Sequence, residues 1–507
     1  MPVLLPFSAY AEVLRSLAVS VSGDLTVPVA GIANDSRKVK PGTLFCAIRG
    51  ARSDGHDFLE SALNSGACAF VTGADCGWRP PDNRPVLAVR DSYRAWAMIC
   101  ETFYDRPGCG MDVFAVTGTN GKTTSAYLLR RFFRAAYPDM PCGLLSTVEY
   151  DTGTGSLEEA SRTTPDAEKI QQLFTQMKLH RCRRAVMELS SHGLHQHRTG
   201  SLSFAGAAFT NLTGDHLDYH KTMENYYLAK RILFAELLRP DAPAVLNADD
   251  EYCRRLRREL RENGREVHSV TLLGEPDADI FVKDLLLTAS GADFRLCTPW
   301  GEHRMKSTLT GEYNVCNLAL ASTLALSLGV PWKVVQSAAA EPGIAPPGRL
   351  EMLEIADGVR AFVDYAHTDD ALFRVLSALR SVAEKRIITV FGCGGDRDRS
   401  KRPRMAAAAA ELSDLVIITS DNPRGEDPLA IIEDIRKGIP EGTVCLIEPD
   451  RAAALKLAAS MAETGDIVLA AGKGHENYQE IDGVKHPFDD RQVIREIRER
   501  SREQNVK

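Results

Sequence analysis

The sequence has no long hydrophobic run, no basic leader segment and no excess of positive charge. No stretch of the 507 residues approaches the ~20 uncharged apolar residues that a membrane span needs, so we predict no membrane association. The N-terminal segment contains Pro2, Pro6 and an early Arg15, and we expect no signal peptide. With 61 Lys and Arg against 68 Asp and Glu, the net charge of −7 argues against nucleic-acid binding, which relies on neutralising phosphates.

Paired cysteine motifs are also absent. The 12 cysteines are scattered singly, without a C-x-x-C pair or a Cys/His cluster of zinc spacing. Isolated thiols are typical of reducing compartments, so we expect a cytoplasmic protein. Hydrophobic residues make up 44% of the chain and charged residues 25%, an ordinary globular composition that excludes a mainly disordered or coiled-coil architecture.

Two segments rich in Pro and Gly divide the chain. They lie at 104–110 and 341–348, and Pro and Gly at this density interrupt helices and strands alike. The length admits roughly three domains. We therefore predict domains over 1–110, 111–342 and 343–507, of which the first is a small α/β module.

The last part of the chain alternates apolar runs with helical stretches. The runs lie at 359–364, 387–392, 415–419, 444–447 and 467–471. This alternation predicts a parallel sheet covered by helices on both faces. Polar segments at 365–367, 393–398, 421–424 and 472–476 follow four of the runs. Ligands bind beyond the carboxyl ends of such strands, so we expect a site there.

A phosphate-binding motif, TGTNGKTT, occupies 117–124 between a predicted strand at 112–117 and a predicted helix at 125–137. Val116 stands where the strict P-loop pattern has Gly, so the loop is a shortened variant. Backbone N–H groups and the helix N-terminus would face phosphates, Lys122 would contact the β- and γ-phosphates, and Thr123 would bind Mg²⁺. The predicted ATP-binding residues here are Gly118, Thr119, Asn120, Gly121, Lys122, Thr123 and Thr124.

Two further segments carry candidate metal ligands. Glu188 ends an apolar run at 185–189 and is a candidate Mg²⁺ ligand, in the manner of the acid that follows a P-loop in other nucleotide enzymes. His216 lies in the segment 209–220, which contains two His and two Asp. From the residues alone, an ordinary strand-end acid and a packing histidine remain alternatives.

Taken together, these motifs resemble the Mur ligases, ATP-dependent amide-forming enzymes of bacterial cell-wall assembly. The matching segments run nearly from end to end of the chain, and they include DSR at 35–37, TGTNGKTT, MELSSHGLHQHR at 187–198, DHLDYH at 215–220, DNPR at 421–424 and GKGHE at 472–476. The resemblance implies an α/β protein with three domains: a UDP-sugar-binding N-terminal domain, a central P-loop ATPase domain with a parallel-rich sheet, and a Rossmann-like C-terminal domain.

Within the family, the chain is similar to the member that adds the third peptide residue to UDP-MurNAc-L-Ala-D-Glu in peptidoglycan precursor synthesis. That resemblance implies that the UDP-substrate is held by Ser36, Thr163, Thr164, Ser190, Gln196 and Arg198. It implies that Asn314, Arg349 and Asp364 join Lys122 and Thr123 in binding ATP. It also implies that Glu188 and His216 serve Mg²⁺, and that Lys230 is carbamylated and so becomes an oxygen ligand for a second Mg²⁺. Without the resemblance, Lys230 would be interpreted as a surface lysine.

The segment 421–424 resembles the form of the family that uses meso-diaminopimelate. Arg424 can clamp the far carboxylate of that amino acid through two N–H groups, whereas it would repel the bare ammonium of lysine. The resemblance implies that Arg397, Asn422 and the backbone of Gly472 assist, and that Asp421 and Glu476 accept from the far ammonium.

The implied reaction transfers the γ-phosphate of ATP to the D-glutamyl side-chain carboxylate, and an amine then displaces phosphate to form an amide. The catalytic residues would be Lys122, Lys230, Glu188 and His216. Three alternatives remain: a lysine-adding relative, a folylpolyglutamate-type ligase and a non-enzymatic nucleotide-gated module. The DSR segment argues against a folate substrate. We expect small-molecule partners only and a monomer.

Overall fold

The N-terminal part of the chain is a mixed sheet packed between helices. The structure, a computed structural model, describes residues 4–50 and 53–505. Its first elements are β1 (Leu5–Pro6), α1 (Phe7–Val13), β2 (Ala18–Ser22), β3 (Pro28–Val29), β4 (Gly31–Ala33), β5 (Thr43–Cys46), α2 (Leu59–Asn64), β6 (Ala67–Gly73), β7 (Val86–Val89) and α3 (Ser92–Phe103). The strand order is β2-β7-β6-β5-β4, and only β2 is antiparallel to its neighbour. Strands β5 and β7 are buried on both faces, which explains their uninterrupted apolar sequences.

The central part is built around β8, which carries the phosphate motif at its carboxyl end. Its elements are β8 (Asp112–Thr117), α4 (Lys122–Ala136), β9 (Cys142–Leu145), β10 (Glu149–Asp151), β11 (Leu157–Glu159), α5 (Ala167–Leu179), β12 (Arg184–Leu189), α6 (Ser191–His195), β13 (Phe204–Phe209), α7 (Leu217–His220), α8 (Met223–Ile232), β14 (Ala244–Asn247), α9 (Glu251–Glu262) and β15 (Val267–Thr271). Strand β8 pairs in parallel with β12 on one side and with β13 on the other. The segments that follow these three strands therefore meet at one edge of the sheet.

Three antiparallel strands and a doubly covered sheet follow. The elements are β16 (Ile280–Thr288), β17 (Gly291–Thr298), β18 (Gly301–Ser307), α10 (Glu312–Ser327), α11 (Trp332–Ala340), β19 (Glu351–Ala356), β20 (Val359–Asp364), α12 (Asp369–Arg380), β21 (Ile387–Phe391), α13 (Lys401–Leu412), β22 (Leu415–Ile418), α14 (Pro428–Arg436), β23 (Cys445–Ile447), α15 (Arg451–Met461), β24 (Ile467–Ala471), β25 (Tyr478–Ile481), β26 (Val484–Pro487) and α16 (Asp490–Asn505). The order β19-β20-β24-β21-β22-β23 is parallel except for β19.

Separate hydrophobic cores cover the two faces of this last sheet. Helices α12, α13 and α14 supply Leu376, Met405 and Ile432 to one core. Helices α15 and α16 supply Leu455 and Ile494 to the other. The predicted parallel sheet with helices on both faces is confirmed, and its five predicted apolar runs are all strands.

The chain divides into two compact units. One comprises Met1–Ser269 with Thr323–Val330, and the other Val270–Ser322 with Pro331–Lys507. Among the residues that the structure describes, no helix has the length and apolar character required to traverse a bilayer. The three domain boundaries predicted from the sequence stay a prediction.

Candidate nucleotide and substrate sites

The phosphate motif forms a tight turn between β8 and the 15-residue helix α4. Gly118 has φ +150° and Gly121 has φ +82°, backbone conformations that favour glycine. A side chain at Gly118 would collide with the hydroxyl of Thr210 on the loop after β13. Lys122, Thr123 and Thr124 form the first turn of α4, and the N–H groups of a helix N-terminus and the helix dipole attract anions. The motif therefore has the local geometry of a phosphate-binding loop.

Two lysines converge on this turn. The Nζ of Lys122 donates to the carbonyl oxygens of Gly118 at 3.0 Å and Thr119 at 2.8 Å. The Nζ of Lys230 donates to the same Gly118 oxygen at 2.8 Å. Lys230 is only 1% exposed, so the interpretation as a surface lysine is wrong. Burial, reinforced by the charge of Lys122, holds the pKa of Lys230 well below its usual value.

Glu188 is fully buried at the end of β12, beside the motif. Its Oε2 accepts from the hydroxyl of Thr123 at 3.0 Å and lies 2.9 Å from the hydroxyl of Thr147, and its Oε1 accepts from the N–H of Thr147 at 2.8 Å. The carboxylate and the Thr123 hydroxyl are oxygen donors of the kind that Mg²⁺ prefers. These two predicted metal ligands are in direct contact, whereas Thr147 was not predicted and no sequence motif identifies it.

His216 lies on the neighbouring loop in a left-handed conformation, with φ +53°. Its ring packs edge-on against His192 at a centroid distance of 4.9 Å. Burial lowers the pKa of His216, which favours the neutral imidazole that metals bind. Over residues 4–50 and 53–505, no three His, Cys, Asp or Glu side chains form a group that could hold a metal ion. The fit to Mg²⁺ therefore rests on Thr123 and Glu188.

Five of the six predicted UDP-substrate residues form one hydrogen-bonded network. The hydroxyl of Thr164 donates to the Glu188 carbonyl at 3.0 Å and accepts from the N–H of Ser190 at 2.9 Å. Arg198 donates to the carbonyl oxygen of Thr164 at 2.7 Å and to Gln196 Oε1 at 2.7 Å.

Thr163 joins this network through Thr147, because the hydroxyl of Thr147 lies 3.1 Å from the hydroxyl of Thr163. Tyr219, which sequence reasoning missed, places its hydroxyl 2.9 Å from His195 Nδ1 and accepts from Gln196 Nε2 at 3.2 Å. Ser36 is not part of the network. It lies in a 3₁₀ turn of the N-terminal module, which the Asp35 side chain caps.

The predicted amino-acid residues converge on the carboxyl edge of the last sheet. Asn422 Nδ2 donates to Glu476 Oε2 at 2.8 Å. Arg424 donates through Nε to Glu480 at 3.1 Å and through Nη1 to the Gly395 carbonyl at 2.8 Å. Its backbone has φ +52° and bridges to Ile481 of β25.

Gly472, Asp421 and Arg397 complete this edge. A Cβ on Gly472, which has φ +111°, would lie 2.7 Å from Asp421 Oδ2. Arg424 and Arg397 both lie close to Gly394. A Cβ added to Gly394 would lie 2.8 Å from Arg424 Nη1 and 3.8 Å from Arg397 Cγ. The structure thus brings Arg397, Asp421, Asn422, Arg424, Gly472 and Glu476 together, as predicted.

The three remaining predicted ATP residues belong to the second unit. Asp364 ends β20 and accepts from the backbone N–H groups of Leu350 at 2.6 Å and Ala366 at 2.8 Å. Burial raises the pKa of Asp364, while the nearby guanidinium of Arg349 opposes that rise. Asn314 is buried in the first turn of α10 and donates to the Thr310 carbonyl at 3.0 Å. Asp364 and Arg349 are therefore neighbours, whereas the hydrogen bond of Asn314 goes to the segment before α10.

A glycine turn between a strand and a helix, with a buried acid on the adjacent strand, defines a P-loop nucleotide-binding protein of the α/β class. Comparison with known families refines this class. Three family models match: "Mur ligase family, catalytic domain" over residues 28–104, "Mur ligase middle domain" over 116–325, and "Mur ligase, glutamate ligase domain" over 348–474. The chain belongs to the Mur ligase family.

Individual relatives cover almost the whole chain. UDP-N-acetylmuramoyl-L-alanyl-D-glutamate--2,6-diaminopimelate ligase of Gloeobacter violaceus is 40% identical, covering 97% of this chain and 98% of its own. The ligase of the same name from Solibacter usitatus is 42% identical, covering 92% and 93%. A solved structure of a ligase of that name has a TM-score of 0.70 at 33% identity over 100% of both chains. Folylpolyglutamate synthase of Mycobacterium tuberculosis shares the fold alone, with a TM-score of 0.60 at 17% identity over 75% of this chain and 91% of its own.

Proposed function

We propose that this chain is an ATP-dependent ligase that joins meso-diaminopimelate to the D-glutamyl side chain of UDP-MurNAc-L-Ala-D-Glu in peptidoglycan precursor synthesis. The full-length relatives at about 40% identity carry that activity in their names. The observation that carries the choice of amino acid is the position of Arg424, whose guanidinium donates to Glu480 and to the Gly395 carbonyl in the loop cluster at the end of the last sheet. In the same cluster, Asn422 donates to Glu476.

The proposed chemistry has two steps. The carboxylate of the substrate attacks the γ-phosphorus of ATP, the bond to the β-phosphate oxygen breaks, and ADP leaves an acyl phosphate behind. The amine of meso-diaminopimelate then attacks the acyl carbon, inorganic phosphate leaves with the bonding electrons, and the amine loses a proton as the amide forms. Such transfers depend on positioning and charge stabilisation, so no protein nucleophile is required.

The residues of the first unit have defined roles in this proposal. The motif 118–124 cradles the triphosphate with its N–H groups, and Lys122 contributes a positive charge. Thr123, Glu188 and His216 would hold Mg²⁺, which supplies positive charge to the phosphates. Thr163, Thr164, Ser190, Gln196 and Arg198 orient the acceptor peptide, and Ser36 contacts the uridine.

The remaining residues complete the ligand sets. Asn314, Arg349 and Asp364 are the further residues that we propose for ATP binding. Lys230 acts as a carbamate, whose two oxygens would hold a second Mg²⁺; the low pKa of its buried amine supports this modification. In the amino-acid site, Asp421 and Glu476 accept from the far ammonium of meso-diaminopimelate, while Arg397 and Gly472 assist Arg424.

The same proposal includes three domains, over 1–110, 111–342 and 343–507, and a monomer in the cytoplasm. Support for the location comes from the cysteines, all 12 of which are free thiols. Small molecules are its only proposed partners.

Phosphate release tests the function. It should require ATP, Mg²⁺, UDP-MurNAc-L-Ala-D-Glu and meso-diaminopimelate together. Arg424→Ala should raise the KM for meso-diaminopimelate by roughly 10- to 100-fold, because a bidentate charged contact is lost. The exposed Arg399, which pairs with Glu426 on a neighbouring loop, provides the control variant Arg399→Ala. Release with L-lysine but not with meso-diaminopimelate would contradict the proposed specificity, and hydrolysis that ignores every acceptor would favour a nucleotide-gated module.

A further inference from the structure

Lys473 is a buried cation in the middle of the proposed amino-acid site. It follows β24 directly, and its side chain is 0% exposed. A buried ammonium is costly unless charged or hydrogen-bonding partners surround it. Nothing in the sequence motif GKGHE separates this lysine from a surface loop residue, so its role has to be read from its contacts.

Those contacts are residues of the proposed site itself. Lys473 Nζ donates to Asn422 Oδ1 at 3.1 Å and to Glu476 Oε2 at 3.1 Å, and it lies 3.7 Å from Asp421 Oδ1. Asp421 and Asn422 follow β22, whereas Glu476 follows β24. One ammonium therefore ties together two loops that the chain separates by about fifty residues.

The orientation of the Asn422 amide follows from these bonds. Its Oδ1 accepts from Lys473 Nζ and, at 2.9 Å, from the N–H of Glu480. Two donors on Oδ1 fix the oxygen, so the opposite group, Nδ2, must face Glu476, to which it donates at 2.8 Å. Without the ammonium, the Glu476 carboxylate loses one of its two donors, and the Glu480 N–H alone would hold the Asn422 oxygen in place.

The charge of Lys473 also sets the electrostatic balance of the site. Asp421 and Glu476 are two acids, and the ammonium between them offsets one of their two negative charges. Arg424 is paired with Glu480, and Arg397 adds a second positive charge at the same edge. The charges of the site therefore balance, which suits a substrate end that carries an ammonium and a carboxylate together. Loss of the Lys473 charge would leave an excess of negative charge, which favours a substrate end that carries an ammonium only.

We propose that Lys473 is a positioning residue for the amino-acid substrate, which fixes Asn422 and Glu476 and sets the charge that selects a doubly charged side-chain end. This inference rests on the proposed function. It goes beyond that function because Lys473, which need not contact the substrate, holds the loops after β22 and β24 in the geometry that binds the amino acid.

Steady-state kinetics of Lys473→Met test this role in the full-length enzyme. The KM for meso-diaminopimelate should rise by at least about tenfold, because displaced positioning groups weaken binding on that scale. The KM values for ATP and UDP-MurNAc-L-Ala-D-Glu should change by less than about twofold, since the hydrogen bonds of Lys473 go to Asn422 and Glu476 of the amino-acid site. The ratio of kcat/KM for L-lysine to that for meso-diaminopimelate should increase.

Arg386→Met is a matched control. Arg386 pairs with the buried Asp466 at 2.6 Å, at the amino ends of the same strands β21 and β24. Its loss removes an ion pair from the same sheet at the end away from the site, so it should lower thermal stability without changing the KM for the amino acid. If Lys473→Met does not fold, Lys473→Gln retains a donor for Asn422 without the charge. A rise in the KM for meso-diaminopimelate is again expected, because Asp421 and Glu476 lose the ammonium that faces them.

Two outcomes would overturn the inference: an unchanged KM for the amino acid in the folded variants, or an equal rise in all three KM values. The proposed function fails separately. If the wild-type enzyme uses L-lysine instead of meso-diaminopimelate, the specificity proposal is wrong, and the KM for L-lysine in Lys473→Gln still decides whether Lys473 positions the site.

Discussion

Two ammonium groups, those of Lys122 and Lys230, donate to one carbonyl oxygen, that of Gly118. Their mutual repulsion adds to the burial of Lys230 and favours its neutral amine. The neutral amine is the form that reacts with CO₂, because only its lone pair can attack the carbon. The structure thus supplies a physical reason for a carbamate at this position.

Carbon NMR with isotopically labelled bicarbonate tests that modification. We expect a carbamate signal from the wild-type protein and none from Lys230→Arg, whose guanidinium does not react. The variant should lose roughly 100-fold or more in kcat, since a ligand for charge stabilisation is missing. The exposed Lys221, replaced as Lys221→Arg, should keep both signal and activity. A wild-type spectrum without the signal would refute the carbamate.

The neighbours of the predicted site residues were predictable from the sequence where a motif defines them. The contacts of Thr123, Glu188 and Thr164 match their predicted neighbourhood. The burial of Lys230 was not predictable, because the residues that cover it come from the glycine turn, more than one hundred positions earlier. Lys473 was missed for the same reason: its partners lie on a loop that only the folded sheet brings close.

At the scale of elements, the glycine turn between β8 and α4 depends on one close approach. Gly118→Ala would force a side chain against Thr210 at φ +150°, so the turn must open. We expect the KM for ATP to rise about tenfold or more, because the N–H groups no longer converge on the phosphates. Gly214 has open space around its Cβ position, and Gly214→Ala should leave the KM within about twofold. Equal effects in the two variants would show that the turn tolerates a side chain.

Elements with uniform burial were predicted closely. The strand predicted at 112–117 is β8, and those at 359–364 and 467–471 are β20 and β24. The helix predicted at 125–137 begins three residues earlier, at Lys122, because the end of the glycine turn already has helical geometry. The antiparallel strands β17 and β18 have no clear sequence pattern, since half-buried polar residues interrupt β17 and exposed polar residues interrupt β18, and pairing with neighbours defines both.

At the scale of the whole molecule, linker composition and packing divide the chain differently. Pro- and Gly-rich segments predict boundaries at 110 and 342, whereas the compact units place Val270–Ser322 with the C-terminal part. Composition reports where the backbone is interrupted, but it carries no information on strand pairing, such as the parallel pairing of β16 with β15 and the antiparallel pairing of β16 to β18. The parallel sheet of the last part was predicted from the sequence and is confirmed, whereas the domain boundaries stay a prediction.

Acid stability is a property of the whole molecule to which His475 contributes. Burial, followed by the charges of Arg349 and Arg491, lowers the pKa of His475 from 6.5 to about 3. Below pH 6.5 the unfolded chain binds a proton at this site that the folded protein does not, so the free energy of unfolding falls as the pH drops from 6.5 towards 3. His475→Gln should weaken this dependence in urea titrations at pH values above and below 6.5. As a control, replacing the exposed His486 as His486→Gln should leave the pH dependence of the free energy of unfolding unchanged. If His475→Gln shows the same pH dependence as the wild-type protein, His475 does not contribute to it.

The guanidinium of Arg424 already has two acceptors, Glu480 and the Gly395 carbonyl. When an amino acid without a terminal carboxylate binds, the Arg424 guanidinium therefore keeps its hydrogen bonds, since Glu480 and the Gly395 carbonyl remain in place. Such a competitor binds more weakly because it cannot replace Glu480 as the acceptor of the Arg424 guanidinium. It does not leave the guanidinium without an acceptor. Discrimination at this position should consequently be graded, and inhibitors that mimic the far carboxylate gain affinity only to the extent that they outcompete Glu480.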